Sequence, residues 1–331
     1  MPEPDPGPAE LPLALLLPGQ GSQYPGMGTG LYRDVPAFAA AVDEVLGLMG
    51  PAGAELRADW LSDTPRLPLD HVTRAQPLLF AIDYALGSLV VRGGRRPTVL
   101  LGHSIGEVAA AALSGVFTLD NAVRLVMDRI VLLAHAPPGG MVAVAASREE
   151  VVPYLSPGVD VGAINAPRQT VLAGAAGPLR RTTWALRRGG FTCTPVASLT
   201  PFHSEALRPL VERSALGPTG APVRPPAIPI VSGYTAGWLT GETALDPAYW
   251  TRHPAEPVLF WPALEFLLAG EQCLLLECGP GQGLTTLARR HPVVRSGRCP
   301  AMSLLGPRTP DPENEVRHFL TVARTAGLKL P

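Results

Sequence analysis

The first apolar signal along the chain is a continuous run at residues 13–17, Leu-Ala-Leu-Leu-Leu. It does not alternate, which is the pattern of a strand buried on both faces. It ends in a glycine-rich loop, Pro18-Gly19-Gln20-Gly21-Ser22-Gln23. Alanine-rich stretches around 35–49 and 76–92 predict helices. A second short apolar strand at 98–101 runs into Gly102-His103-Ser104-Ile105-Gly106, and residues 107–113 continue as a helix stopped by Ser114-Gly115. Residues 118–136 predict another helix. From 140 the rhythm changes to short elements. These are a strand at 141–146, a helix at 148–155 opened by Ser147 as N-cap, and strands at 159–163 and 170–173 around Asn165-Ala166-Pro167. A helix at 178–188 closed by Gly189-Gly190 and a strand at 191–196 follow. That order, β-α-β-β-α-β, is the ferredoxin-like unit. A strand at 228–231, a helix at 257–269 and a strand at 273–277 come after it, and Pro312 opens a helix expected on the surface.

The predicted fold is therefore α/β, with a mainly parallel, helix-flanked, hydrolase-like sheet carrying an inserted ferredoxin-like subdomain. The large part spans 11–137 and 200–310, the insertion 138–199, and the C-terminal helix and tail 311–331. Residues 1–10, MPEPDPGPAE, are acidic and proline-rich, and are expected to be a disordered tail with no signal-peptide character.

Composition narrows the function. The chain has 331 residues, 46% of them hydrophobic, enough for one large domain with a smaller one. The net charge of −1 gives no global attraction to nucleic acid or acidic membrane, and no apolar run reaches the ~18 residues of a membrane span. Four cysteines without C-x-x-C spacing predict neither a zinc site nor a disulfide framework, and suggest a reduced, cytoplasmic protein. Gly19 and Gly21 lack the G-K-[ST] ending of a phosphate loop.

The chemistry starts at Ser104. Gly102-His103-Ser104-Ile105-Gly106 fits G-x-S-x-G, where a serine sits on a tight strand-to-helix turn and points a helix N-terminus at a reacting carbonyl. The pattern alone is weak; the preceding apolar strand and following helix give it the required context. A serine needs a base. Of seven histidines, His203 stands at the exit of the inserted unit, where a cleft forms. His103 should point away from Ser104. His71, His135, His253, His291 and His318 lie in polar or Pro-flanked stretches and are expected to be solvated. The residues alone leave the base open between His203 and the other six together.

Four motifs in order now carry a resemblance: Pro18–Gln23, Gly102-His103-Ser104-Ile105-Gly106-Glu107, Phe202-His203-Ser204, and Glu277-Cys278-Gly279-Pro280-Gly281. They resemble malonyl-CoA:acyl-carrier-protein transacylases and the acyltransferase domains of polyketide synthases, over about residues 11–305. The resemblance implies Ser104 as nucleophile and His203 as base, the latter oriented by a backbone carbonyl. It implies an oxyanion hole from the backbone N–H groups of Gln20 and Ile105. It implies that Arg129, 25 residues after Ser104, holds a malonyl carboxylate. Gln76, Asn165 and Phe202 would line the substrate. The implied reaction is ping-pong: an acyl-CoA acylates Ser104, and the phosphopantetheine thiol of an acyl carrier protein takes the acyl group away. Coenzyme A thioester is then a substrate, with no bound cofactor or metal. The segment from Arg129 to His203 is shorter than in typical bacterial members. Phe202 stands where fatty-acid members carry Ser, and with Ile105 looks like malonyl-type polyketide acyltransferases.

Three alternatives are weighed. An α/β-hydrolase esterase or thioesterase shares G-x-S-x-G but needs an acid for its histidine; Asp160 is the available one, on a strand of the insertion. Another acyl group, or a carrier-to-carrier shuttle, keeps the same machinery. A non-catalytic module is disfavoured by intact Ser104, His203 and Arg129. For carrier docking, the helix at 178–188 offers Arg180, Arg181, Arg187 and Arg188, with Leu179 and Leu186 repeating at the same interval and packing inward; a merely solvated arginine face gives the same pattern.

Overall fold

A computed structural model describes residues 7–213, 223–309 and 311–329. Its strands are β1 (Leu13–Leu17), β2 (Val99–Gly102), β3 (Gly139–Val144), β4 (Val159–Ala166), β5 (Gln169–Ala175), β6 (Cys193–Pro195), β7 (Ile230–Val231), β8 (Leu274–Glu277) and β9 (Ala301–Ser303). Five of them form a parallel sheet in the order β7-β2-β1-β8-β9. β1 lies at its centre with all five residues buried, which explains its unbroken apolar run. Helices Pro36–Leu48, Val72–Arg92 and Ile105–Leu113 share one core with it through Phe38, Leu79, Phe80 and Val108.

The other four strands make an antiparallel sheet in the order β4-β5-β3-β6, the ferredoxin-like arrangement. Alternation along β3 decides its two faces. Val142 and Val144 pack with Leu172, Leu179 and Leu186 under helix Ala176–Arg188. Met141, with Val171 of β5, turns the opposite way into the core shared with the large sheet. The two parts are stitched at β4, where Ile164 N–H donates to Val258 O (2.8 Å) and Val258 N–H to Gly162 O (2.9 Å).

Most elements stand where the pattern put them, including Ser147, which closes a reciprocal capping box with Glu150. There are four differences. The helix after Ser104 begins at Ile105, two residues early. β9 and the short helices Thr29–Asp34, Pro51–Trp60, Arg208–Arg213, Gly241–Leu245, Pro247–Arg252, Gly283–Ala288 and Pro292–Arg295 were not anticipated. The tail expected over 1–10 lies outside the described residues up to Pro6. Residues 7–10 form a turn, with Arg95 donating to Pro8 O (3.1 Å). Helix Pro312–Thr325 is not a plain surface helix: Phe319 is buried, and the Glu315 carboxylate accepts from Gly28 N–H (2.8 Å) and Gly30 N–H (3.0 Å).

Candidate active site

β2 delivers the chain into Ser104, whose φ of 57° and ψ of −116° lie outside the conformations an L-residue prefers. The strain is held by close packing. A Cβ on Gly102 would lie 2.2 Å from Glu107 N, and one on Gly106 would lie 2.1 Å from Leu17 O. Both glycines of the motif are therefore forced by the approach of neighbouring backbone. Glu107, fully buried in the first helical turn, accepts from Gly233 N–H (2.7 Å) and from the Tyr249 hydroxyl. Burial pushes its carboxyl up to about 7.

His203 meets the elbow from the segment after β6. Ser104 Oγ lies 2.8 Å from His203 Nε2. Nδ1 faces two backbone carbonyls, Glu256 O at 2.8 Å and His253 O at 3.1 Å. Nδ1 therefore carries the proton, and Nε2 presents its lone pair to the serine hydroxyl. The His203 N–H also donates to Pro254 O (2.6 Å), fixing a backbone with φ of 63°. Burial above all holds the imidazole pKa down at about 4, with the charges of His103 and Arg129 acting in the same direction. Asp160 does not orient this histidine; its Oδ2 accepts from Glu205 N–H (2.9 Å).

The pair opens on a cavity of about 630 Å³, within the size range of small-molecule sites. Gln20, Met141, Val171, Phe202, Arg290 and Arg308 are among its walls. The loop carrying Gln20 rests on the elbow: a Cβ on Gly19 would come 3.1 Å from Ser104 Cβ. Gln76 Nε2 donates to Gln20 Oε1 (2.6 Å), and among the described residues the Gln20 N–H has no acceptor. Ile105 is the first helical residue, so its N–H has no acceptor within the helix. His103 does point away from Ser104, and its Nε2 lies 2.9 Å from Asn165 Oδ1 on β4.

A family model described as an acyl transferase domain matches residues 15–329. The chain belongs to the acyl transferase domain family. It is 37% identical over 289 residues to a phenolphthiocerol/phthiocerol polyketide synthase of Mycobacterium tuberculosis, covering 87% of this chain and 19% of that protein. It is 34% identical over 307 residues to the spectinabilin polyketide synthase system protein NorB of Streptomyces orinoci, covering 86% and 14%. The chain thus spans less than a fifth of these relatives. Among solved structures it resembles the acyl transferase domain of SpnD in complex with 2-(pent-4-yn-1-yl)malonyl, with a TM-score of 0.87 and 32% identity over 100% of this chain and 81% of that one. It also resembles FabD from Acinetobacter baumannii, with a TM-score of 0.78 and 25% identity over 96% and 100%.

In this acyl transferase the structure brings Ser104, His203, Gln20, Phe202 and Asn165 to one cavity, with Gln76 bracing Gln20 from behind; the Ile105 side chain is buried and does not line the cavity, though its backbone follows Ser104 directly. Arg129, on helix Leu119–Leu133, is buried and does not line that cavity. Its Nη2 donates to Trp250 O (2.5 Å), its Nε has no acceptor, and no carboxylate among the described residues pairs with it. Burial holds its pKa down at about 10. Arg180, Arg181, Arg187 and Arg188 are exposed, but on the face of the small sheet opposite the cavity, over Leu179 and Leu186. Arg187 is tied to Cys193 O (3.1 Å), and Arg188 lies over the Trp184 ring at 4.7 Å.

His253 corrects the sequence expectation. It is 1% exposed, because Tyr234 stacks on its ring (3.8 Å) and Tyr249 and Trp250 meet it edge-on (4.6 and 5.1 Å). Tyr234, Tyr249, Glu107 and His253 were all missed as site residues. The one available signal was their aromatic density, Tyr249-Trp250 four residues before Pro254. Among the described residues no helix is long and apolar enough to cross a membrane.

Proposed function

We propose that the protein moves a malonyl-type acyl group from coenzyme A, through an ester on Ser104, to the phosphopantetheine thiol of an acyl carrier protein, in polyketide or fatty-acid biosynthesis in the cytoplasm. The observation that carries the proposal is the Ser104–His203 hydrogen bond, with the far side of the imidazole held by backbone carbonyls. Ser104 Oγ attacks the thioester carbonyl as its proton passes to His203 Nε2. The Gln20 and Ile105 N–H groups receive the oxyanion. The C–S bond breaks, and His203 returns the proton to the departing thiolate. In the second half-reaction the carrier thiol gives its proton to His203 and attacks the ester, and Ser104 Oγ leaves with that proton. No electrons are gained or lost, so the proposed chemistry needs no redox cofactor.

Two observations support a carboxylated acyl group. Arg129 is a buried guanidinium whose Nε has no acceptor and which no carboxylate among the described residues meets in a salt bridge, suited to a bidentate carboxylate. The SpnD domain is described in complex with a substituted malonyl. Intact-protein mass spectrometry after incubation with malonyl-, methylmalonyl-, acetyl- and propionyl-CoA tests the proposal. One malonyl mass on the wild type and none on Ser104→Ala is expected. An adduct on Ser104→Ala refutes the nucleophile. Rapid release of free acid without a thiol acceptor would instead indicate a thioesterase.

A further inference from the structure

Among the described residues, His103 Nδ1 in the elbow is buried without a hydrogen-bond partner, and so are three further side-chain nitrogens nearby: Arg129 Nε, His253 Nδ1 and His253 Nε2. The latter three belong to one neighbourhood. The Arg129 guanidinium is anchored on Trp250 O, three residues before His253, and the Trp250 and His253 rings are 5.1 Å apart. The stack of Tyr234 on His253 connects this neighbourhood to the catalytic pair, since the Tyr234 ring lies 6.2 Å from that of His203. Glu107, Arg129, Ser104 and Glu256 are among the polar groups near enough to act on the Tyr234 phenol.

Donors are in excess here. Glu107 is the nearby carboxylate, and both of its oxygens are already taken, by Gly233 N–H and the Tyr249 hydroxyl. A buried donor without an acceptor is costly, and a charged one more so. Native proteins keep such groups where a ligand or a function repays them. An anion offering two oxygens would satisfy these donors. In the reaction proposed above, that anion is the free carboxylate of the acyl group.

We propose that His253 is a second recognition residue for the acyl carboxylate, donating a ring N–H to one oxygen while Arg129 Nε and its neighbouring nitrogen serve the other. The inference rests on the carboxylated-acyl reading and adds a residue to it. The imidazole contributes a neutral donor beside the cation, and Tyr234 fixes the plane in which it points. Tyr234 is only partly buried, and it stacks directly on the His253 ring. The backbone of His253 has a separate task, since its carbonyl orients His203. Side-chain substitution therefore leaves that hydrogen bond in place.

The test compares Ser104 acylation by malonyl-CoA and propionyl-CoA, which differ in the terminal carboxylate, in wild type, His253→Phe, His253→Asn and Arg129→Ala. His253→Phe keeps the aromatic stack and removes the donor. Its malonyl-over-propionyl ratio of kcat/KM should fall about 10- to 150-fold, the range for a lost hydrogen bond to a charged group, mostly through the malonyl KM. His253→Asn, which restores an N–H, should recover part of the malonyl rate. Equal losses for both substrates, or an unaltered malonyl preference in His253→Phe while Arg129→Ala loses it, overturns the role of His253 and leaves the carboxylate reading standing. A wild type with no preference for malonyl overturns the carboxylate reading itself. Should the Phe variant not fold, nitrogen NMR of the wild type decides. The His253 ring signals should move on malonylation of Ser104 and not on propionylation; identical spectra for the two acyl-enzymes refute the contact.

Discussion

The depressed pKa of His203 makes a quantitative claim about the pH dependence of acylation. Burial takes the imidazole from an ordinary 6.5 to about 4, a drop that corresponds to about 3 kcal/mol of preference for the neutral form. The neutral form is the base, so activity should persist into acid. At pH 5 an imidazole with pKa 4 is about 90% neutral, whereas one at 6.5 is about 3% neutral. The assay is single-turnover acylation by rapid quench and intact mass from pH 3.5 to 8. Propionyl-CoA is the acyl donor, because it carries no titrating acyl carboxylate. The limiting kcat/KM should stay flat down to about pH 5 and halve near pH 4, and circular dichroism at each pH should show the fold intact. A half-point near 6.5 would refute the argument, since it would mean that the imidazole is solvated in the working enzyme. The same shift has a consequence for stability, with a defined sign. Above pH 6.5 the imidazole is neutral in both folded and unfolded chains, and its contribution is fully present. Between 6.5 and 4 the unfolded chain binds a proton that the folded one refuses, so stability falls as pH drops, by about 3 kcal/mol in total. His203→Gln should lose that part of the acid sensitivity, as measured by urea unfolding at pH 7 and pH 4.5.

Other predictions are more direct. Arg129→Ala should lower malonyl kcat/KM about 10- to 150-fold while sparing or raising that for propionyl; parallel losses would make Arg129 structural. Gly106→Ala should destabilise the fold by about 1–3 kcal/mol or more, because its Cβ would meet Leu17 O at 2.1 Å, and should displace Ser104; wild-type unfolding and acylation would show that the contact is soft. For the carrier protein, Arg290→Glu with Arg308→Glu at the cavity wall should raise the carrier KM at low salt, with a smaller effect at high salt. Arg181→Glu with Arg188→Glu, on the opposite face of the small sheet, should not; the reverse result would put docking back on helix Ala176–Arg188.

How far the sequence could be read depended on whether the cause of each feature was local. β1, β2 and β8 are continuous apolar runs because neighbours cover both faces of a parallel sheet, and a run is visible without knowing the neighbours. The small sheet was legible for the opposite reason: Met141, Val142, Ala143 and Val144 divide alternately between two cores, and Gly189-Gly190 punctuate the helix end. β9 was not legible, since three residues become a strand only by pairing with β8. The helix Pro312–Thr325 looked like a surface element because it begins Pro-Glu-Asn-Glu; one of those glutamates, Glu315, is buried because the N–H groups of Gly28 and Gly30, at the start of the distant helix Thr29–Asp34, need an acceptor.

The site divides in the same way. Ser104 could be found because its constraint lies within five residues: the backbone comes so close that Gly102 and Gly106 cannot carry a Cβ. His203 could be singled out only by its position at the exit of the insertion, and its orienting partners could not be seen at all. Glu256 and His253 hold the imidazole through carbonyl oxygens, which every residue possesses, so no residue type in the sequence marks that role. The polar, Pro-flanked setting of His253 suggested solvent, and the rings that exclude solvent come from Tyr234, far along the chain, and from a helix turn bearing Tyr249 and Trp250. Because orientation of the base is done by the backbone, the side chain at position 253 is released from that duty. An imidazole placed there, buried beside Arg129 with no acceptor of its own, is free to serve selection of the acyl group while its own carbonyl serves the chemistry.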